Sequence, residues 1–280
     1  MMKRLLIILL LLGCSVAMAD MSVTLNIDPD VAIEFVTVSN AGNPADEPDW
    51  QGDRLGAADY VYDIMKYEMT CEQYASLRPG ENWSCELRVE GFPLSLADSD
   101  AAEYANLLNE DQGYPAAYRF DGNQVIPWPE DHPGYNVGNP IRNSQAKFFI
   151  ASPDEWHKAA YYDPSIGGYW DSALGTDSPT PVDGPTTDPL SYVCCTRPQS
   201  VFTSGGASPY GTFGQTGNAR EWEENGLRLR AGHWDLYPAY WSRLSPLSPA
   251  AIRLVAIPEP SAFLLVCVAL TGLMLARRHR

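Results

Sequence analysis

The sequence predicts an irregular, loop-rich α+β domain carried between two membrane-directed ends. Three observations predict it. Glycine and proline are plentiful, at 22 and 23 of 280 residues, and cut the chain into short pieces. Aromatic side chains are frequent, at 11%. Long helical periodicity is scarce, and the two helices that are well signalled are short.

The elements follow in chain order. Lys3 and Arg4 precede an unbroken apolar run over residues 5–12, and Ala17-Met18-Ala19 is a small-x-small cleavage site. This is the pattern of a secretory signal peptide over residues 1–19. Leu11-Leu12-Gly13-Cys14 offers a competing lipid-attachment reading, but the Ala-x-Ala site is better formed. The folded domain is assigned to residues 20–255. Residues 31–38 read as a strand, with Val36 and Val38 alternating against Thr37 and Ser39. A polar loop over residues 40–56 and a second strand over residues 60–67 follow. Asp98 or Asp100 can cap a helix in which Ala102, Ala105, Asn106 and Leu108 lie near one face, ended by Gly113. Ser152-Pro153-Asp154-Glu155 is a capping box with proline at the first helical position, so a second helix runs through Trp156, Ala159, Ala160 and Tyr162 to Asp163-Pro164. Residues 167–209 read as loop, dense in Gly, Pro, Ser, Thr and Asp.

Residues 256–280 form a unit of their own. Pro258-Glu259-Pro260 is followed by an uncharged, mainly apolar stretch over residues 261–276 and then by Arg277, Arg278, His279 and Arg280. At about 1.5 Å per residue the stretch reaches roughly 24 Å, short of a hydrocarbon core of about 30 Å, so it spans with bilayer thinning or help from its flanks. Arg277, Arg278 and Arg280 are the membrane stop and stay inside. The order of rigid motif, membrane segment and basic stop resembles the PEP-CTERM sorting signal of bacteria. That resemblance implies an exosortase-type sorting enzyme as partner, an inner-membrane intermediate, and a final location in the cell envelope or outside it. A tail anchor that is never cut is the competing reading.

Charge and cysteine usage bound the function. Without the basic residues of the two ends, 14 basic side chains face 35 acidic ones, a net of −21. Such a surface repels phosphate backbones and excludes nucleic acid as a partner. Cys71, Cys85, Cys194 and Cys195 remain outside the end segments, and export permits disulfides among them in any of three pairings. With no Cys-x-x-Cys and four scattered histidines, a zinc site is not expected. There is no Gly-x-Ser-x-Gly elbow to support a serine nucleophile. Glu47-Pro48-Asp49 resembles the tripeptide of calcium-dependent lectins, but it stands near the N-terminus, far from the loop where such lectins carry it.

An ordered series of segments carries a second resemblance. It begins at Val36-Thr37-Val38 and continues with residues 62–70 leading to Gln73-Tyr74, then Tyr104-Ala105-Asn106-Leu107-Leu108 and residues 149–156. It closes with Tyr210-Gly211-Thr212-Phe213, Gly217-Asn218-Ala219-Arg220-Glu221-Trp222, residues 229–234 and Ile252-Arg253. This series is similar to the formylglycine-generating enzyme, or sulfatase-modifying factor, family, over about residues 36–255. The resemblance implies a C-type lectin-like fold and, for active members, copper-dependent oxidation of a substrate cysteine. The positions that would carry the family's reactive cysteine pair fall at Leu236 and Trp241, which cannot supply a thiolate ligand. Copper is therefore not expected, no catalytic residue is assigned, and an active metal-dependent oxidase acting on exported proteins is the alternative reading.

The family's calcium site would use the carbonyls of Gly217 and Ala219 and the Glu221 carboxylate, with Gly214 standing where a side-chain oxygen is missing. A weak calcium site is the expectation, against a plain ion pair of Glu221 with Arg220, Arg228 or Arg230. Trp156, Trp222 and Trp234 are expected in the core. The functional expectation is an exported binding or matrix protein with a diverged, non-catalytic domain, and an extracellular polysaccharide as the candidate ligand.

Overall fold

The computed structural model describes residues 20–48, 52–78, 91–94, 98–193, 198–224, 229–230 and 250–257. The expected signal peptide, Asp49, Cys85, Cys194, Cys195, Arg228, Trp234, Leu236, Trp241 and the C-terminal signal from Pro258 to Arg280 lie outside them.

In chain order, β1 (Met21–Thr24), β2 (Ala32–Val38) and β3 (Tyr62–Met65) lead to α1 (Cys71–Ser76) and α2 (Asp98–Asp111). The hairpin of β4 (Arg119–Asp121) and β5 (Gln124–Ile126) precedes β6 (Phe148–Ile150) and α3 (Pro153–Tyr161). Short pairs follow, β7 (Tyr162–Asp163) with β8 (Gly168–Tyr169) and β9 (Thr180–Val182) with β10 (Ser191–Val193). The described chain closes on β11 (Glu221–Trp222), β12 (Leu229–Arg230), β13 (Ala251–Ile252) and β14 (Leu254–Ala256). Helices and sheets are mixed and long stretches are irregular, which is the loop-rich α+β class expected from the sequence.

The main sheet has the order β1-β2-β3-β14-β6 and is antiparallel throughout. Its last strand in sequence, β14, sits between β3 and β6. Val36, Ile64, Val255 and Phe149 stand directly opposite one another across four strands, and all four are buried. Every residue of β3 and β14 is buried, so these strands are covered on both faces. That explains why residues 254–256 show no apolar–polar alternation. α2 packs against β6, where the fully buried Asn109 satisfies the strand's outer edge. Its carbonyl oxygen accepts from the Lys147 and Phe148 amides, and its amide nitrogen donates to Phe148 O. An uncompensated edge there would leave buried backbone groups unpaired, at about 1–3 kcal/mol each.

The helix starts follow local chemistry. Ser152 caps α3, its hydroxyl accepting from Glu155 N while the Glu155 carboxylate accepts from Ser152 N, with Pro153 at the first turn as expected. Thr70 and Gln73 form the same reciprocal box at the start of α1, a helix the sequence reading did not assign. Gly113, at φ +81°, lies just past the end of α2.

Residues 167–209 are not wholly loop. β8, β9 and β10 lie there, with β9 and β10 paired in parallel. Strands of two or three residues, one with Pro181 at its centre, are too short to leave a periodic signal. Cys71 is disulfide-bonded, and its partner lies outside the described residues. Among the described residues no helix is long and apolar enough to cross a membrane.

Candidate functional site

Two buried ionic centres organise the domain. The first gathers the residues of the 217–222 segment. Gly217 admits no side chain, because an added Cβ would lie 2.2 Å from Val193 O. Asn218 takes a left-handed backbone (φ +64°), which asparagine tolerates. Its amide nitrogen donates to Glu68 Oε2 and its carbonyl oxygen accepts from Gln199 N. Ala219 N donates to the other Glu68 oxygen at 2.9 Å. The Glu221 carboxylate is fully engaged. Oε1 accepts from Arg253 Nη2 (2.9 Å), and Oε2 accepts from Arg253 Nε (3.1 Å) and Trp156 Nε1 (2.8 Å).

Arg253 also donates from Nη1 to Met65 O and from Nη2 to Phe213 O. Glu221, Arg253 and Trp156 are fully buried, and Trp222 packs in the core beside them. Burial, and then the neighbouring charge of Glu221, push Glu68 from its ordinary value up to about 8, with Arg253 opposing.

This geometry bears directly on the calcium expectation. Glu221 is paired with Arg253, which the C-terminal strands bring back to it; Arg228 and the Arg230 side chain lie outside the described residues. A cation at this carboxylate would have to displace a bidentate guanidinium. Gly214 stands at φ +84°, and a Cβ there would lie 2.8 Å from Glu68 Oε2, so Glu68 already fills the place where a side-chain oxygen was thought missing. Among the described residues no group of three or more His, Cys, Asp or Glu side chains could hold a metal ion.

The second centre lies under a cleft of about 750 Å³. The capping box that starts α3 sets its floor. Glu155, held at the third position of that box, receives Arg142 in a two-pronged ion pair, Nη1 to Oε1 at 3.0 Å and Nη2 to Oε2 at 2.8 Å. Tyr60 Oη also donates to Glu155 Oε1 at 2.7 Å. Burial alone would raise Glu155, but the Arg142 charge and these hydrogen bonds outweigh it and hold the carboxyl at about 2. Arg142 Nε reaches Glu224, which also accepts from Tyr118 Oη and Asn139 Nδ2. Burial pushes Glu224 upward, against the pull of Arg142. The guanidinium lies over the Phe149 ring, 4.8 Å from its centroid.

The cleft walls rise from three parts of the chain. Tyr60 comes from the loop before β3, Tyr114 from the loop after α2, and Asn136, Asn139, Gln145 and Lys147 from the segment before β6. That segment is fixed by buried amides. Asn143 N donates to Ala117 O, Asn143 Nδ2 to Ala116 O, and Ser144 N to Gly134 O. Ile257, the last described residue, closes one side, its amide bonded to Lys147 O at 3.0 Å.

The floor is therefore a rigid, charge-paired platform, and the rim offers aromatic faces, amides, hydroxyls and one ammonium. Neither cysteine nor histidine is among the described residues that line the cleft. Such an arrangement can hold and orient a ligand through stacking and hydrogen bonds. Of the candidate residues read from sequence, Gly217, Ala219 and Glu221 come together with Glu68 and Arg253 in the first centre, away from the cleft. Tyr60, Asn139, Arg142, Lys147 and Glu224 were not singled out in the sequence, and of the cleft centre only Glu155 carried a local signal. Glu47, of the lectin-like tripeptide, is exposed and pairs loosely with Arg54 at 3.6 Å.

No protein-family model and no curated protein matches the chain. Among solved structures it is similar to Treponema denticola variable protein 1, at 15% identity and a TM-score of 0.58, over 86% of this chain and the whole of that one. At this identity the likeness speaks for the fold alone.

Proposed function

We propose that this is an exported, exosortase-sorted cell-envelope protein whose diverged, non-catalytic, C-type lectin-like domain binds an extracellular polysaccharide in the Arg142 cleft. The observation that carries the reading is the cleft itself. Its floor is an ion cluster in which Arg142 is paired with both Glu155 and Glu224, and its rim is built of aromatic and amide side chains. Tyr60 and Tyr114 supply apolar faces for the C–H surface of a sugar ring, and Asn136, Asn139 and Gln145 supply amide groups for its hydroxyls. The envelope address rests on the Pro258-Glu259-Pro260 motif, the apolar stretch and the basic stop. The non-catalytic reading rests on Leu236 and Trp241, where the resembled family needs cysteines.

The test is binding of the full-length protein, in detergent, to a panel of neutral and acidic oligosaccharides. Removing the aromatic wall with Tyr114→Ala is expected to weaken binding by about fivefold or more, taking about 1–3 kcal/mol, that of a base stacked on an aromatic side chain, as the scale. Binding that survives Tyr114→Ala unchanged places the ligand elsewhere and sinks the cleft assignment.

A further inference from the structure

The cleft contains one cation that the protein leaves uncompensated. Arg142 is paired with both Glu155 and Glu224. Lys147 is not: among the described residues it makes no ion pair, and Asp63 influences it only at longer range. Its ammonium sits on the cleft wall, 5.3 Å from the Tyr114 ring centroid and 5.7 Å from that of Phe148, with only a long hydrogen bond of 3.4 Å to Tyr114 Oη. The two rings hold the charge in place by cation–π attraction without satisfying its three donors. In a chain of net charge −16, this places a single positive point among neutral hydrogen-bonding groups.

We infer that the cleft recognises an acidic sugar, a uronic acid unit whose carboxylate lies on Lys147 while its ring packs on Tyr114 and its hydroxyls meet Asn136, Asn139 and Gln145. The inference rests on the polysaccharide reading above and narrows it. One carboxylate per ring matches one uncompensated ammonium. A phosphate or sulfate polymer carries more negative charge per unit than one ammonium offsets against the chain's net charge of −16. The amides on the wall favour hydroxyl-bearing rings over an acidic peptide, whose carboxylates lie on flexible stems with no hydroxyls between them.

The experiment compares an oligomer of galacturonic acid with the same oligomer after methyl esterification, which removes the charge and leaves the ring intact. Calorimetry on the full-length protein in detergent is expected to show the acid form binding about tenfold tighter than the ester, the value of one charge-assisted hydrogen bond. The preference should shrink as salt rises. Lys147→Met keeps the apolar stem and is expected to bring the acid form down to the affinity of the ester. Thermal unfolding of the variant verifies that it is folded.

Equal binding of acid and ester, or a preference that persists in folded Lys147→Met, overturns the inference while leaving the polysaccharide reading standing. A glutamate oligomer bound as tightly as the uronate, in a Lys147-dependent way, overturns the sugar assignment. No binding of any oligosaccharide, neutral or acidic, overturns both.

Discussion

Replacing Arg253 with methionine separates a structural role for the 217–222 segment from a metal-binding one. Arg253 and Glu221 are both fully buried and joined by two hydrogen bonds of 2.9 and 3.1 Å. Removing the guanidinium leaves the Glu221 carboxylate buried with only Trp156 Nε1 as donor, a loss of about 3–5 kcal/mol. Met65 O and Phe213 O also lose their donor, at roughly 1 kcal/mol each. The total, about 5–7 kcal/mol, is comparable to the whole stability of many domains. Urea unfolding followed by tryptophan fluorescence should place the variant near or past its midpoint without denaturant. Arg253→Met combined with Glu221→Gln removes the stranded charge and should recover about 3 kcal/mol, a coupling that a double-mutant cycle reads directly. A loss under about 1 kcal/mol for Arg253→Met alone, or no recovery in the double variant, would refute the ion-pair reading.

The remaining predictions concern protons, calcium and sorting. Glu68 is held near 8 in the fold against about 4.5 in the unfolded chain, so its contribution to stability is complete below about pH 4.5 and is lost as pH rises through 8. Glu68→Gln should flatten that part of the melting-temperature profile, and a profile identical to the parent's removes Glu68 as its cause. Calcium titration by calorimetry should show nothing tighter than about millimolar, and micromolar binding would mean a ligand set other than the one described. Gly214→Asp should lower stability rather than create a calcium site, since its backbone is left-handed and Glu68 occupies the space. A variant that melts at or above the parent temperature contradicts this. In a host with an exosortase, mass spectrometry of the envelope-associated protein should find the segment after the Pro258-Glu259-Pro260 motif removed, whereas an intact Arg280 would indicate a plain anchor.

What the sequence disclosed depends on how local the physics is. The Ser152 box was readable because cap, proline and glutamate lie within four residues, and it also fixed where Glu155 would stand. Thr70 and Gln73 carry the same signal and could have been read the same way. The strand over residues 32–38 was readable from the alternation around Val36 and Val38, and that over residues 62–65 was readable in part, within the wider span 60–67. The ionic centres were not readable. Arg142 meets Glu224 across 82 positions, and Glu68 meets Asn218 across 150. No periodicity links such partners, and only the returning strands bring them together. The Gly-Asn-Ala-Arg-Glu-Trp segment was conspicuous because each of its constraints is strict, but those constraints point inward: a close backbone approach, a left-handed asparagine, a buried ion pair and a core tryptophan. A sequence pattern alone does not separate such a lock from a ligand site, because both demand particular side chains at fixed spacing.

The placement of β14 joins the two parts of the proposed function. By inserting between β3 and β6, the last strand anchors the chain's exit in the middle of the main sheet, and Ile257 leaves it directly at the cleft wall. The next three residues are Pro258, Glu259 and Pro260, which span at most about 10 Å even when extended. On the proposed reading, a protein still tethered by its tail would therefore hold the cleft within a short reach of the membrane surface and of the enzyme that grips the motif. A polymer chain needs open approach along the cleft, so sorting and polysaccharide binding would compete for the same side of the domain while the tail is intact. On the same reading, cutting the tail would remove that competition. On the proposed reading the protein would be sorted first and engage the matrix afterwards.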